Sequence, residues 1–123
     1  MKKTHGSFRV GIGYDIHPLV AGRPLVLGGV RIEHVTGLAG HSDADALIHA
    51  LCDALLGALN LGDLGEHFPE TDEWKDAAST KILGAVAGMV ERSGYALVNA
   101  DCVVNAEEPR LAPHRAAMAR TIA

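Results

Sequence analysis

A chain of 123 residues with 48% hydrophobic content and a net charge of −4 is the size of one compact domain that can build a core without cross-links. Its 11 lysines and arginines are scattered, which excludes the clustered basic surface that phosphate-backbone binding needs, and no run of eighteen apolar residues is available to span a membrane. Cys52 and Cys102 show neither CxxC spacing nor the density of a secreted scaffold, and the basic start is followed by no apolar leader segment, so both read as buried thiols of a cytoplasmic protein.

Residues 1–7 read as a flexible tail and 8–123 as one domain. From 8 to 16 apolar residues mostly alternate around Gly11 and Gly13, which predicts a strand whose backbone something approaches closely. Residues 25–27 and 30–35 read as two short strands joined by the tight-turn pair Gly28-Gly29, and 36–40 as a glycine-flanked loop. Ser42, with Asp45 three positions on, forms a capping-box pattern ahead of a helix carrying Leu47, Ile48, Leu51, Leu55 and Leu59. Residues 60–76 have no period and read as a long loop. A second helix is predicted from Ser79 to about Ser93, with Ile82, Leu83, Val86, Met89 and Val90 on one face and Gly94 as its stop. Residues 96–106 alternate as a strand, and Pro113 opens a last helix that reaches Ala123.

Asp15 and His17, two apart on a predicted strand, share a face and can share an ion, although a surface pair at a strand end has the same spacing. His49 lies with Asp45 and Asp53 on one polar stripe of the long helix, which is either a solvated face or a third ligand with carboxylates to orient it. Two histidines and a carboxylate leave a fourth position open on a tetrahedral zinc ion, the pattern of a catalytic site. The run Gly40-His41-Ser42-Asp43 precedes a helix N-terminus and can receive a phosphate, or Ser42 is simply a cap. The acidic loop from Asp63 to Asp72 can hold hydroxyl groups or stay solvated, and the proline-bracketed turn near 105–113 can read a nucleobase edge or merely connect. There is no P-loop, dinucleotide fingerprint or nucleophile elbow.

Taken in order, RVGIGYDIH at 9–17, PLVLGGV at 24–30, GLAGHSDADALIHALCDALLGALNLGDLG at 37–65, HFPETD at 67–72 and RLAPH at 110–114 resemble the 2-C-methyl-D-erythritol 2,4-cyclodiphosphate synthase family of non-mevalonate isoprenoid biosynthesis. The resemblance implies an α/β (α+β sandwich) subunit, a mixed β-sheet covered by helices on one side, ferredoxin-like or chorismate-mutase-like. It implies a homotrimer with active sites between subunits, and no nucleic-acid or membrane partner. Asp15, His17 and His49 would hold zinc, and a second divalent ion, magnesium or manganese, would bind through the substrate diphosphate. His41 and Asp63 are implied as catalytic. Asp15, Ile16, His17, His41, Ser42, Asp63, Leu64, Gly65, Phe68, Pro69, Glu70, Thr71 and Asp72 would contact the phosphates and the erythritol part. Ala106, Glu107, Glu108, Pro109, Arg110, Leu111 and Ala112 would line the cytidine pocket. The implied reaction is a CMP-releasing cyclisation, a phosphorus-oxygen lyase step driven by positioning and charge neutralisation.

The family pattern continues for about one more helix and strand, with a threonine-rich segment and a glutamate, beyond the point matching Ala123. The chain thus reads as lacking that segment, and Glu70 stands where the family tends to have aspartate. Alternatives are a non-catalytic metal- or nucleotide-binding remnant that keeps the triad without turnover, and a metal-dependent phosphohydrolase.

Overall fold

The structure, a computed structural model, describes residues 7–123; the expected tail over 1–7 lies, except for Ser7, outside them. Strands β1 (Leu19–Ala21), β2 (Leu25–Leu27), β3 (Val30–Ile32) and β4 (Thr36–Leu38) come first. They are followed by helices α1 (Ala46–Ala58), α2 (Leu64–His67), α3 (Ser79–Arg92) and, after a short 3-10 turn at Ala112–His114, α4 (Arg115–Ile122). This is a small α+β fold in which the strands pair antiparallel.

The β2–β3 hairpin pairs Leu25 with Ile32 and Leu27 with Val30 and turns on Gly28 and Gly29, whose φ of +58° and +73° lie where a two-residue hairpin turn needs them. Leu25, Leu27 and Ile32 are buried and form one hydrophobic cluster with Leu38, Ala44 and Met118. The second cluster sits between α1 and α3, where Ile48, Cys52 and Leu56 meet Ile82 and Val86. Both helices thus bury one stripe at i, i+4 spacing, as their sequences dictate. Gly94, with φ +84°, ends α3 in the left-handed position that glycine tolerates best.

Several expectations require correction. Asp45, not Ser42, caps α1: its carboxylate accepts the Ile48 N–H and also takes the Gly28 and Gly29 N–H groups at 3.0 and 2.7 Å, tying the hairpin turn to the helix start. Ser42 instead accepts the Ala44 N–H in the turn that leads in. The strand expected at 30–35 stops at Ile32, and part of the loop expected at 36–40 is β4, which pairs with β1 through Leu19–Leu38 and Ala21–Thr36. The long loop at 60–76 contains the one-turn helix α2, closed by a capping box between Asp63 and Glu66. Cys52 is buried, but Cys102 is exposed.

The strands expected at 8–16 and 96–106 are the largest difference, because among the described residues neither belongs to a sheet and no mixed sheet forms. Alternation reports extended backbone, but a ladder also needs a neighbour in register. Residues 8–16 lie instead directly on α1, where Gly11 and Gly13 allow it: a Cβ at either position would stand 1.9 or 1.8 Å from the carbonyl oxygen of Ala54 or Ala50. Phe8, Val10, Ile12, Tyr14 and Ile16 point away from the helix and are exposed, as are Leu97, Val98 and Val103. Residues of both segments, together with Ala50, Ala54 and Ala58 of α1, line one open trough.

Candidate metal centre

Three elements bring the polar residues together. The glycine contacts press residues 8–16 onto α1, so Asp15 and His17 arrive beside His49, which points off the first full turn of that helix. Oδ2 of Asp15 lies 2.8 Å from His17 Nε2 and 3.3 Å from His49 Nδ1. The two imidazoles meet edge to face, with ring centroids 5.6 Å apart. Burial raises the Asp15 carboxyl, but the imidazoles of His49 and His17 close beside it outweigh that and hold it below the ordinary carboxylate range.

Nδ1 of His17 lies 2.7 Å from the Ala39 carbonyl oxygen. A carbonyl only accepts, so that nitrogen carries a ring hydrogen, and in the neutral form of the ring the Nε2 lone pair is directed at Asp15. Two acceptors then face each other, and Asp15 Oδ2 and His17 Nε2 are both buried without a hydrogen-bond partner. A cation between them removes the conflict. Asp15, His17 and His49 offer three ligand atoms within 4.8 Å of one another, and this donor set can hold a divalent metal ion.

On its far side His49 Nε2 lies 2.9 Å from Ser79 Oγ and 3.2 Å from Ser42 Oγ. Neither Asp45 nor Asp53, the i±4 neighbours considered from the sequence, touches this ring through any hydrogen bond among the described residues. Asp45 is occupied at the helix cap, and Asp53 accepts the Leu64 N–H at 2.8 Å. Ser79 was missed because it lies thirty residues away and opens a different helix; no local pattern signals it.

The remaining sequence candidates fall in three places. His41 donates from Nε2 to the Thr71 carbonyl at 2.6 Å, and Asp76 N–H returns to the His41 carbonyl at 2.9 Å, so residues 71–76 are fastened to the turn that carries Ser42. Phe68 packs edge to face on Trp74 at 4.8 Å and leans on the second core cluster. Asp63, Leu64 and Gly65 stand near the far end of α1, with the Asp63 carboxylate taken up by the Glu66 N–H at 2.9 Å. Residues 106–112 lie apart from these: Leu111 packs on the first cluster, and among the described residues no hydrogen bond joins this turn to the triad. The helix N-terminus considered as a phosphate site is filled by the Asp45 carboxylate, which leaves the turn at 40–43, not the helix dipole, facing the triad.

A sequence profile of the YgbB family matches residues 8–123. The chain belongs to the YgbB family. Its relatives within the family include the 2-C-methyl-D-erythritol 2,4-cyclodiphosphate synthase of Syntrophomonas wolfei, 58% identical over 94% of this chain and 74% of the relative. The enzyme of the same name from Synechococcus elongatus is 59% identical over 90% of this chain and 70% of the relative. A solved 2C-methyl-D-erythritol-2,4-cyclodiphosphate synthase with CDP bound superposes with a TM-score of 0.87 at 42% identity, covering 93% of this chain and 77% of that one. The CDP complex of Plasmodium falciparum IspF gives a TM-score of 0.80 at 30% identity over 97% and 73%. Among the described residues of this YgbB chain, no helix is long and apolar enough to cross a membrane.

Proposed function

We propose that the chain catalyses the reaction its relatives are named for: conversion of 4-diphosphocytidyl-2-C-methyl-D-erythritol 2-phosphate to 2-C-methyl-D-erythritol 2,4-cyclodiphosphate with release of CMP, a phosphorus-oxygen lyase step of non-mevalonate isoprenoid biosynthesis. The observation that carries this reading is the cluster of Asp15, His17 and His49, in which Asp15 Oδ2 and His17 Nε2 are buried without a hydrogen-bond partner.

In the reaction an oxygen of the 2-phosphate attacks the β-phosphorus, a P–O bond forms, and the bond from that phosphorus to the CMP oxygen breaks as CMP leaves with the electron pair. The protein has little covalent chemistry to do; it must hold the two phosphates in line and balance their charge. Asp15, His17 and His49 would hold a divalent ion, zinc by the N/O donor set, which would supply Lewis-acid neutralisation of phosphate charge. A magnesium or manganese ion on the diphosphate would share that load. The Ser42 hydroxyl, beside His49 and anchored by Ala44 N–H, is placed to donate to a phosphate oxygen. His41 keeps Nδ1 for the transition state while Nε2 is committed to Thr71. Ile16 completes the strip beside the zinc ligands. Asp63, Leu64, Gly65 and the stretch of Phe68, Pro69, Glu70, Thr71 and Asp72 would hold the erythritol hydroxyls.

Ala106, Glu107, Glu108, Pro109, Arg110, Leu111 and Ala112 would read cytosine from a neighbouring subunit of a homotrimer, in which the strands would continue as a mixed sheet. The exposed row of Phe8, Val10, Ile12, Tyr14 and Ile16 supports such an assembly, since an apolar face of this length is normally covered. The test is CMP release from the cytidine-linked substrate with zinc and magnesium, run in ¹⁸O-enriched water. CMP appearing with no solvent oxygen in the product is the expected result. Absence of CMP, or incorporation of solvent oxygen, would overturn the cyclase reading.

A further inference from the structure

The far side of His49 carries information that the metal ligands alone do not. Asp43 Oδ2 accepts the Ser79 backbone N–H at 2.9 Å, its Oδ1 accepts the Asp45 N–H at 3.1 Å, and its own N–H is bound to the Ala77 carbonyl at 3.0 Å. The carboxylate is therefore pinned on both sides. Its Oδ1 also makes a short contact with Ser79 Oγ. An ionised carboxylate cannot donate, so the Ser79 hydroxyl must point its single hydrogen at Asp43. The lone pairs left on Ser79 Oγ can then only accept, and what they face is His49 Nε2 at 2.9 Å. That nitrogen must carry a hydrogen, with Ser42 Oγ also 3.2 Å away, and in the neutral form of the ring this leaves the lone pair on Nδ1, the atom turned toward Asp15 at 3.3 Å.

We propose that Ser79, held by Asp43, is the positioning residue that commits His49 to bind metal through Nδ1. This rests on the metal-centre reading above. The relay has the logic of the carboxylate–histidine–metal arrangement, with a serine hydroxyl inserted between carboxylate and ring: it fixes the tautomer, restrains ring rotation and raises the basicity of the ligating nitrogen. Ser79 and His49 are part of the same packed unit, since Ser79 is fully buried at the first turn of α3 and Ile82 packs against Ile48, the neighbour of His49. His17 reaches the same end by a different route, through the Ala39 carbonyl. The two rings are thus set by two independent acceptors, one on the strand β4 side and one on α3.

The experiment uses zinc(II) alone as the probe. Its dissociation constant is measured for the metal-stripped parent and the Ser79→Ala variant by competition with a chromophoric chelator, and the imidazole protons of the zinc-loaded proteins are observed by NMR. The expected result is a slowly exchanging His49 Nε2–H in the parent, close to the Ser79 side chain. In Ser79→Ala that proton should exchange rapidly and zinc affinity should fall about 10–100-fold with unchanged helical circular dichroism, and Ser79→Thr, which restores the hydroxyl, should recover most of the loss. Parent-like affinity and an unchanged Nε2–H in Ser79→Ala would overturn the relay while leaving the metal centre intact. A parent protein that binds no zinc would overturn the centre itself. Should Ser79→Ala fail to fold, the parent spectrum decides: a protected Nε2–H near Ser79 supports the proposal, and a hydrogen exchanging freely with water refutes it.

Discussion

Replacing Gly13 with alanine places a methyl carbon 1.8 Å from the Ala50 carbonyl oxygen and 2.9 Å from the Ala54 nitrogen, both backbone atoms in the middle of α1 that have nowhere to go. The φ of Gly13 is not left-handed, so alanine meets no conformational penalty there and the perturbation is one of space alone. To regain ordinary contact near 3.4 Å, residues 8–16 must lift off the helix by about 1.6 Å. Asp15 is two residues away. Carried whole to its carboxylate, the lift opens the 3.3 Å gap to His49 Nδ1 to about 4.9 Å, whereas two bonds of ~2.0–2.2 Å to one ion span at most ~4.4 Å. One ligand must then let go, and zinc affinity should fall at least about 100-fold. A competition titration on metal-stripped protein reads this directly, with circular dichroism to verify α1. Gly57→Ala is the control: it lies on the same helix with nothing within 4 Å, and should leave zinc binding unchanged while stabilising the helix by about 1 kcal/mol. Gly13→Ala protein that binds zinc within twofold of the parent would refute the claim that close backbone approach sets the Asp15 position.

The other expectations concern single groups. His49→Ala should lose zinc by elemental analysis and keep its helical circular dichroism, because alanine favours helix and the ring contributes only its two polar edges; retained zinc would remove His49 from the site. Asp45→Ala leaves the N–H groups of Ile48, Gly28 and Gly29 without their acceptor at a fully buried position, and should cost about 3–5 kcal/mol in urea denaturation; a loss under about 1 kcal/mol would refute the role given to this carboxylate. Burial pushes the Cys52 thiol up to about 12, so in a Cys102→Ser background it should resist a maleimide at pH 8 until the protein unfolds. The sign of its pH effect follows: the unfolded thiol ionises above about 9 while the folded one stays protonated, so the stability it contributes is present below 9 and is lost as pH rises toward 12. Relative to Cys52→Ala, that loss should run at about 1.4 kcal/mol per pH unit; a flat difference would show a thiol accessible to base.

Where the chain's own periodicity decides the outcome, the sequence was readable. Of the α1 stripe read from the sequence, Ile48 and Leu51 are buried and Leu47, Leu55 and Leu59 only partly so, with Cys52 and Leu56 completing the buried face; Ile82, Val86 and Val90 answer it from α3, and Gly28-Gly29 turns the hairpin. β1 and β4 are as short as β2 and β3 but have no glycine pair between them to mark a hairpin, and α2 is a single turn closed by side chains, so none of the three stood out. The cap of α1 was misplaced because Ser42 and Asp45 both suit the position, and the choice falls to the residue that also meets the Gly28 and Gly29 N–H groups, a contact 17 residues away. The alternation at 8–16 and 96–106 suggested strands, yet among the described residues neither segment pairs into a sheet. For the site, the triad could be named from the sequence only with the help of the surrounding family-like segments, while Asp43 stood only as part of the 40–43 turn and Ser79 only as a helix start, with nothing to join either to His49.

The reason Ser79 escaped is also the reason the site can be precise. A helix-based histidine with a local carboxylate at i±4 would be oriented by a flexible, solvent-facing side chain. Here the orienting hydroxyl sits at the buried start of α3, and its distance to His49 is set by the packing of Ile82 and Val86 against Ile48, Cys52 and Leu56. The other two ligands take their place from glycine backbone resting on the opposite side of α1. The metal geometry is therefore an outcome of how three segments pack on one helix. A small displacement in any of those contacts, with no ligand altered, is enough to disturb it.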